Sequence, residues 1–316
     1  ERYLKRIQGK AGIENGTAAG LGTAANMRNA VIARKAFEGL EVIAVTTAGV
    51  GGNAGCAGDP ASYAWTADGS QLLERPSPYS GTIVTLVFIS EELTPGALVV
   101  AATVVAEAKA GLLRDLMVPS KYSTRLATGT GTDQLGIASL LGSEVVHGDA
   151  NKHSKLGELI GQATEASLRE ALNLQGGVSI DWRRSSLVQL ARFGETKEAF
   201  IQAVRTRLPE GCRDLFEANF LSVNHDPVTV GAVQALVHLR DQCVIGVLPK
   251  GSVQEMLQLQ GAMIARAVSG KSIELERWMD DWRMEGMVDS SEVFLDFVRE
   301  AFARGFAIKW NGRFED

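Results

Sequence analysis

Apolar positions along the chain change their period once. Over the first half, short β-branched runs are separated by glycine-rich stretches; from about residue 154 the apolar positions recur every three or four residues. Residues 41–47 (Glu-Val-Ile-Ala-Val-Thr-Thr) and 81–90 (Gly-Thr-Ile-Val-Thr-Leu-Val-Phe-Ile-Ser) are predicted as buried strands. The spacing predicts a helix over 23–39. A second helix is predicted over 96–116, opened by Thr94-Pro95, where the missing N–H of a proline costs nothing. That helix is apolar almost all round, which predicts a central position. Its longest apolar run, residues 96–106, is eleven residues, too short for a bilayer, so a buried helix without membrane contact is expected.

Beyond residue 154, Leu156, Ile160, Ala163, Ser167 and Ala171 fall on one face at helical spacing. Further helices are predicted over 197–208, 229–242, 253–268, 274–285 and 291–303. Asp289 with Glu292 reads as a capping box for the last of them. Gln175-Gly-Gly-Val-Ser-Ile180 suits a boundary, dividing the chain into a core of residues 1–178 and a mainly helical part of residues 179–316. The fold class is therefore α/β in its α+β form. It is a sheet-containing core with flanking helices, open to a layered α-β-β-α stacking, and a helical C-terminal part that can pack with it as one domain.

Composition narrows the function. With 45% apolar and 22% charged residues the chain is an ordinary globular sequence, and a net charge of −5 gives no electrostatic case for nucleic acid as a partner. Cys56, Cys212 and Cys243 are odd in number and far apart, which suits a reducing cytoplasm better than a disulfide framework. No signal peptide is visible, and the chain begins at Glu1 without methionine, so removal of an upstream piece is expected.

The glycines carry the chemistry. Residues 48–60, Ala-Gly-Val-Gly-Gly-Asn-Ala-Gly-Cys-Ala-Gly-Asp-Pro, hold five glycines directly after a strand, with Asn53 and Asp59 at polar positions. Backbone N–H groups in such a turn can cradle an anion or oxyanion, or the turn can be structural, with Asp59 bonding its own backbone. Thr128-Gly-Thr-Gly-Thr-Asp-Gln134 alternates hydroxyls with glycine and ends in a carboxylate; it lacks the lysine of a nucleotide-binding Walker loop. A third cluster, His147, Asp149, His153, Ser154 and Lys155, lies at a predicted helix start. His153 there suits a general base, and Ser154 an N-cap or a nucleophile. The spacing of His147, Asp149 and His153 matches no standard metal motif. Glu107 and Lys109, two apart on the apolar helix, cannot easily pair with each other, so each needs water, another partner or a ligand.

Read together, these segments resemble the adenosylcobinamide amidohydrolase family of corrinoid salvage. The matching stretches are residues 46–61, Gly81-Thr-Ile, Leu93-Thr-Pro-Gly-Ala-Leu98, Glu107-Ala-Lys109, residues 127–134 and His153-Ser-Lys-Leu-Gly-Glu-Leu-Ile-Gly161, in the family's order over roughly residues 20–175. Cys56 departs from the family pattern, where a larger or basic residue is expected, and a further N-terminal portion is expected of the family. The resemblance implies hydrolysis of the amide that joins a propionate arm of the corrin ring to aminopropanol. Adenosylcobyric acid and aminopropanol would be the products, with the corrinoid as substrate and no cofactor.

On that reading the N–H groups of Gly51, Gly52 and Gly131 are expected to bind the oxyanion. Asp133 or His153 activates water, and Lys155 or His153 protonates the leaving amine. Thr130, Thr132 or Ser154 is the rival, as a direct nucleophile. Asn53, Asp59, Glu107 and Lys109 are expected to bind substrate. A corrinoid-binding protein without turnover and a phosphate-binding transferase are the alternatives, and a homo-oligomer is compatible with each.

Overall fold

The computed structural model describes residues 2–10, 12, 19–73, 81–249, 254–272 and 286–311. They form two compact units, Glu1–Ser179 and Ile180–Asp316. In the first the order is α1 (Arg2–Lys10), β1 (Val31–Phe37), β2 (Leu40–Ala48), β3 (Ala54–Gly55), β4 (Tyr63–Thr66), β5 (Gly69–Leu72), β6 (Ile83–Ile89), β7 (Glu92–Leu93), α2 (Pro95–Asp115), β8 (Gly129–Thr130), β9 (Gln134–Ser139), β10 (Val146–His147) and α3 (Lys155–Gly176). The second holds α4 (Ile180–Arg183), α5 (Ser186–Leu190), α6 (Lys197–Arg207), α7 (Glu210–Asn224), α8 (Pro227–Val244), α9 (Gln254–Ser269) and α10 (Ser291–Asn311). This is an α+β unit followed by a helical one.

The main sheet runs β1-β2-β6-β9, antiparallel except for the β6–β9 pair. Its two predicted strands, β2 and β6, are the central ones, which is why both read as near-continuous apolar runs. Val42, Ala44, Val87 and Ile89 meet Ala101, Val105, Leu156 and Ile160 from α2 and α3 in one apolar cluster. All five residues of the predicted α3 face, Leu156 through Ala171, are buried.

Three expectations are corrected here. Residues 23–39 are not a helix: a 3-10 turn at Met27–Asn29 is followed by β1. Burial alternates along Val31–Lys35, the period of a strand, and β1 closes a tight hairpin with β2 through Glu38 and Gly39. Both turn residues have positive φ (53° and 132°), as a two-residue hairpin of the right twist needs. Secondly, α2 has the predicted length, 21 residues, but not the expected central position; the whole helix, unlike its eleven-residue apolar run, is by length and composition apolar enough to cross a membrane. It lays one face on the rest of the unit through Ala97, Ala101, Val104, Val105, Leu112 and Leu113 and leaves Val99 largely exposed, so it is not surrounded. Thirdly, the cap of α10 is Ser290, whose Oγ accepts from the N–H of Val293 at 3.3 Å; the cap falls one residue after the expected Asp289, and with valine at the third position it is a simple cap and not a capping box.

Thr94 caps α2, its Oγ1 accepting from the N–H of Ala97 at 3.3 Å. The helical unit contains α7, absent from the predicted elements although Cys212, Phe216, Phe220 and Val223 are buried at helical spacing. The helix predicted over 274–285 lies outside the described residues. Edge-to-face ring pairs fill the core: Phe193–Phe294, Phe200–Phe302 and Phe216–Phe306, with centroids 4.8, 5.0 and 5.1 Å apart.

Within this apolar packing Glu195 is fully buried and gripped by Arg299, Nε to Oε2 at 2.8 Å and Nη2 to Oε1 at 3.1 Å. The hydrogen bonds to Glu195 hold the guanidinium above its ordinary pKa against the opposing effect of burial. Removing the arginine strands a buried carboxylate. Arg299→Met is therefore expected to destabilise the helical unit by about 3–5 kcal/mol, read by chemical denaturation.

Candidate active site

The two glycine turns, some seventy residues apart in sequence, meet as a two-stranded ladder. Strands β3 and β8 pair antiparallel, Ala54 opposite Thr130 and Gly55 opposite Gly129. The N–H of Gly131 donates to the carbonyl of Asn53 at 3.2 Å, and that of Thr128 to Gly55 at 2.9 Å. Beside this ladder opens a cleft of about 720 Å³. Asn53, Asp59, Lys109, Thr130, Thr132 and Asp133 all line it.

Asp133 is the hub. Its Oδ1 accepts from the Thr130 hydroxyl at 2.5 Å and from the N–H of Ile83 at 3.1 Å. Its Oδ2 accepts from Lys109 Nζ at 2.5 Å and from the N–H of Thr130 at 3.0 Å. The ion pair is largely shielded, with 21% of the lysine side chain and 16% of the aspartate exposed. Lys109 thus finds the partner its place on α2 demands. Glu107, two residues before it, turns to the surface and pairs with Lys152 at 2.6 Å. The turn geometry explains Gly129: a β-carbon there would lie 2.4 Å from Asp133 Oδ2 and 3.1 Å from Lys109 Nζ.

Four donors occupy the carboxylate, so a water molecule cannot approach it without displacing one of them. Of the four, the Thr130 hydroxyl borders the cleft and is already hydrogen-bonded to a carboxylate that can take its proton, the arrangement an activated nucleophile needs. Thr132 is tied differently. Its hydroxyl lies 2.6 Å from that of Thr82, donates to the carbonyl of Gly81 at 2.8 Å, and accepts from Asn53 Nδ2 at 3.3 Å. Asn53, buried, also bonds Gly81 and takes the Tyr122 hydroxyl on its Oδ1 at 2.6 Å, so it braces the second turn.

Asp59 braces the first turn. It accepts from the N–H of Cys56 at 2.7 Å, from Ser120 at 2.6 Å and from Ser123 at 2.6 Å. Burial pushes its carboxyl up, but these hydrogen bonds and the nearby Arg125 outweigh that and hold it below the ordinary value. A lowered folded-state pKa means the stabilisation is complete above the usual carboxylate range and disappears as the pH falls through the folded value. Asp59→Asn is expected to lower the melting temperature at neutral pH. The two proteins should converge as the pH drops below the ordinary Asp value of about 3.9.

Other expected site residues lie elsewhere. His153, Ser154 and Lys155 do not line this cleft. His153 is exposed, its backbone N–H bonded to Asn151 Oδ1 at 2.8 Å. Ser154 caps α3, accepting from the N–H of Gly157 at 3.0 Å. Lys155 pairs with Glu158 at 2.6 Å and sits 4.8 Å over the ring of Phe37. Gly157 is required because a β-carbon would fall 2.0 Å from the carbonyl oxygen of Asn151. His147 pairs with Glu91 at 2.6 Å, and Asp149 holds the N–H groups of Ala150 and Asn151. Gly51 borders a separate hollow of about 240 Å³, Gly52 lines neither, and the Gly131 N–H is already bonded to Asn53, so the three do not assemble the expected oxyanion cradle.

Tyr122, Ser120 and Ser123 were not among the sequence candidates. They sit in the loop between α2 and β8, a hydroxyl-rich stretch without periodicity, and that density of hydroxyls just before the second glycine turn was the available signal.

A hydroxyl, a carboxylate and an ammonium, joined by hydrogen bonds, thus stand together at the wall of an open cleft. A family model for adenosylcobinamide amidohydrolase matches residues 1–180, and the chain belongs to that family of amidohydrolases acting on adenosylcobinamide. An uncharacterized protein of Methanocaldococcus jannaschii is 34% identical over 187 residues, 56% of this chain and 71% of that protein. No solved structure matches the chain.

Proposed function

We propose that the protein hydrolyses the aminopropanol amide of adenosylcobinamide, releasing adenosylcobyric acid and aminopropanol in the salvage of corrinoids. The observation that carries the reading is the Thr130–Asp133–Lys109 row beside the cleft, built from the family-matched segments.

An amide is a poor electrophile, so its nucleophile must be activated and its leaving amine protonated. The Thr130 oxygen attacks the carbonyl carbon as its proton passes to Asp133. As the C–N bond breaks, the nitrogen takes a proton from Lys109 and aminopropanol departs, leaving an ester on Thr130. The proton held by Asp133 then returns to Lys109. In the second half, water attacks the ester carbon and gives its proton to Asp133. When the C–O bond to Thr130 breaks, that proton restores the threonine hydroxyl and the acid is released. The remaining N–H bonds of Lys109 are the charged donors best situated to stabilise the oxyanion.

No step calls for a cofactor. Cys56, Cys212 and Cys243 are all free thiols, which supports a cytoplasmic location. Incubation with adenosylcobinamide, followed by mass spectrometry, is expected to show the cobyric acid product and aminopropanol. Corrinoid retained by the protein but recovered intact would instead identify a binding protein.

A further inference from the structure

The β4–β5 hairpin carries an apolar face that is open to solvent. Tyr63 pairs with Leu72 and Trp65 with Ser70, so Tyr63, Trp65 and Leu72 share one side, while Ala64, Thr66 and Gln71 lie on the other. Trp65 is 77% exposed, Leu72 81% and Tyr63 55%. The two rings stand edge to face with centroids 6.4 Å apart. Among the described residues the hairpin pairs with no other strand. A lone two-stranded hairpin is marginally stable in water, and clustered exposed aromatics mark contact surfaces.

What they contact follows from continuity and size. Ala61, Ser62 and Tyr63 line the active-site cleft, so the residue that heads the apolar face also borders the place where Thr130 and Asp133 stand. The cleft, about 720 Å³, falls in the roughly 300–1,000 Å³ range that holds drug-sized ligands. A corrin macrocycle with an adenosyl group and its amide arms is larger than that. Only the arm bearing the scissile amide has to reach Thr130, and the conjugated, largely apolar ring is left outside, beside the hairpin.

We propose that the Tyr63, Trp65 and Leu72 face of the hairpin binds the corrin macrocycle while the amide arm enters the cleft. This rests on the amidohydrolase reading for the identity of the ligand, and it makes the hairpin a specificity element of that site. Stacking on an exposed aromatic side chain is sensitive to its truncation and tolerant of another aromatic.

The test is Trp65→Ala, with Trp65→Phe as the conservative variant and Gln71→Ala as a control on the opposite face. Trp65 is so exposed that the fold has little stake in it, and thermal melting verifies this. For Trp65→Ala the expected result is a rise in KM for adenosylcobinamide on the order of tenfold with kcat unchanged, the signature of lost uniform binding. The dissociation constants of adenosylcobinamide and of cyanocobinamide, which lacks the nucleoside, should rise equally. Trp65→Phe should recover most of the affinity, and Gln71→Ala should match the wild type. Unchanged KM and dissociation constants in Trp65→Ala overturn the proposal, as does a loss confined to the adenosyl form. If the wild type binds corrinoid yet releases no aminopropanol, the amidohydrolase reading fails while the dissociation constants still decide the role of the hairpin. A wild-type protein that binds neither corrinoid overturns both.

Discussion

Thr130→Ala and Asp133→Asn are each expected to slow aminopropanol release by roughly 10²–10⁴-fold, the range for losing a positioned proton-transfer partner. The reason is the 2.5 Å hydrogen bond between them: the hydroxyl attacks only as its proton reaches the carboxylate. Groups that work as one unit do not contribute independently. The double variant should therefore be no slower than the worse single variant. Asp133→Asn also removes the anion that faces Lys109 Nζ at 2.5 Å, so this variant should show some loss of stability, whereas Thr130→Ala should melt near the wild type. Steady-state rates and melting curves on the three variants check these expectations. Multiplicative losses in the double variant would mean that the two side chains act in separate steps.

Gly129→Ala should be nearly as damaging to turnover, on the order of 10²-fold, because small misplacements of reacting groups cost that much. The added methyl would lie 2.4 Å from Asp133 Oδ2, closer than any real carbon–oxygen contact, and 3.1 Å from Lys109 Nζ. Both neighbours are side-chain ends, so the ion pair shifts and the backbone stays. The expected signature is lost kcat with a melting temperature close to that of the wild type. By contrast, Gly157→Ala meets a backbone carbonyl at 2.0 Å that has no such freedom, and stability is what it should lose.

Much of the α+β unit could be read from the order of its residues. Strands β2 and β6 are continuous β-branched runs, and α2 announces itself with Thr94-Pro95. Helix α3 shows five apolar or small residues at helical spacing. Local signals failed where partners distant in sequence decide. Strand β1 is an edge strand whose Val31, Ala33 and Lys35 are only half buried, so its pattern fitted a helix until β2 paired with it. Helix α7 is preceded by Pro209 and carries Gly211 in its first turn, two residue types that favour turns, and its phenylalanines gain meaning only against α6 and α10.

The site followed the same rule. The glycine turns and their polar residues were legible because a backbone approached closely by side chains, as at Gly129 and Gly131, or turned to positive φ, as at Gly58, favours that composition. Their pairing through Ala54 and Thr130, and the bond from Lys109 on α2 to Asp133, are products of the fold. His153 illustrates the opposite case. A histidine beside a carboxylate at a helix start has the right chemistry, but Asp149 spends its oxygens on the turn itself, and His153 is left exposed outside the cleft.

The most direct measurement is aminopropanol release from adenosylcobinamide by wild type, Thr130→Ala and His153→Ala side by side, each verified as folded. Rapid release by the wild type and by His153→Ala, with Thr130→Ala slowed at least a hundredfold, is the expected result. Full activity in Thr130→Ala, or loss confined to His153→Ala, would contradict the assignment of the chemistry to the cleft between the two glycine turns.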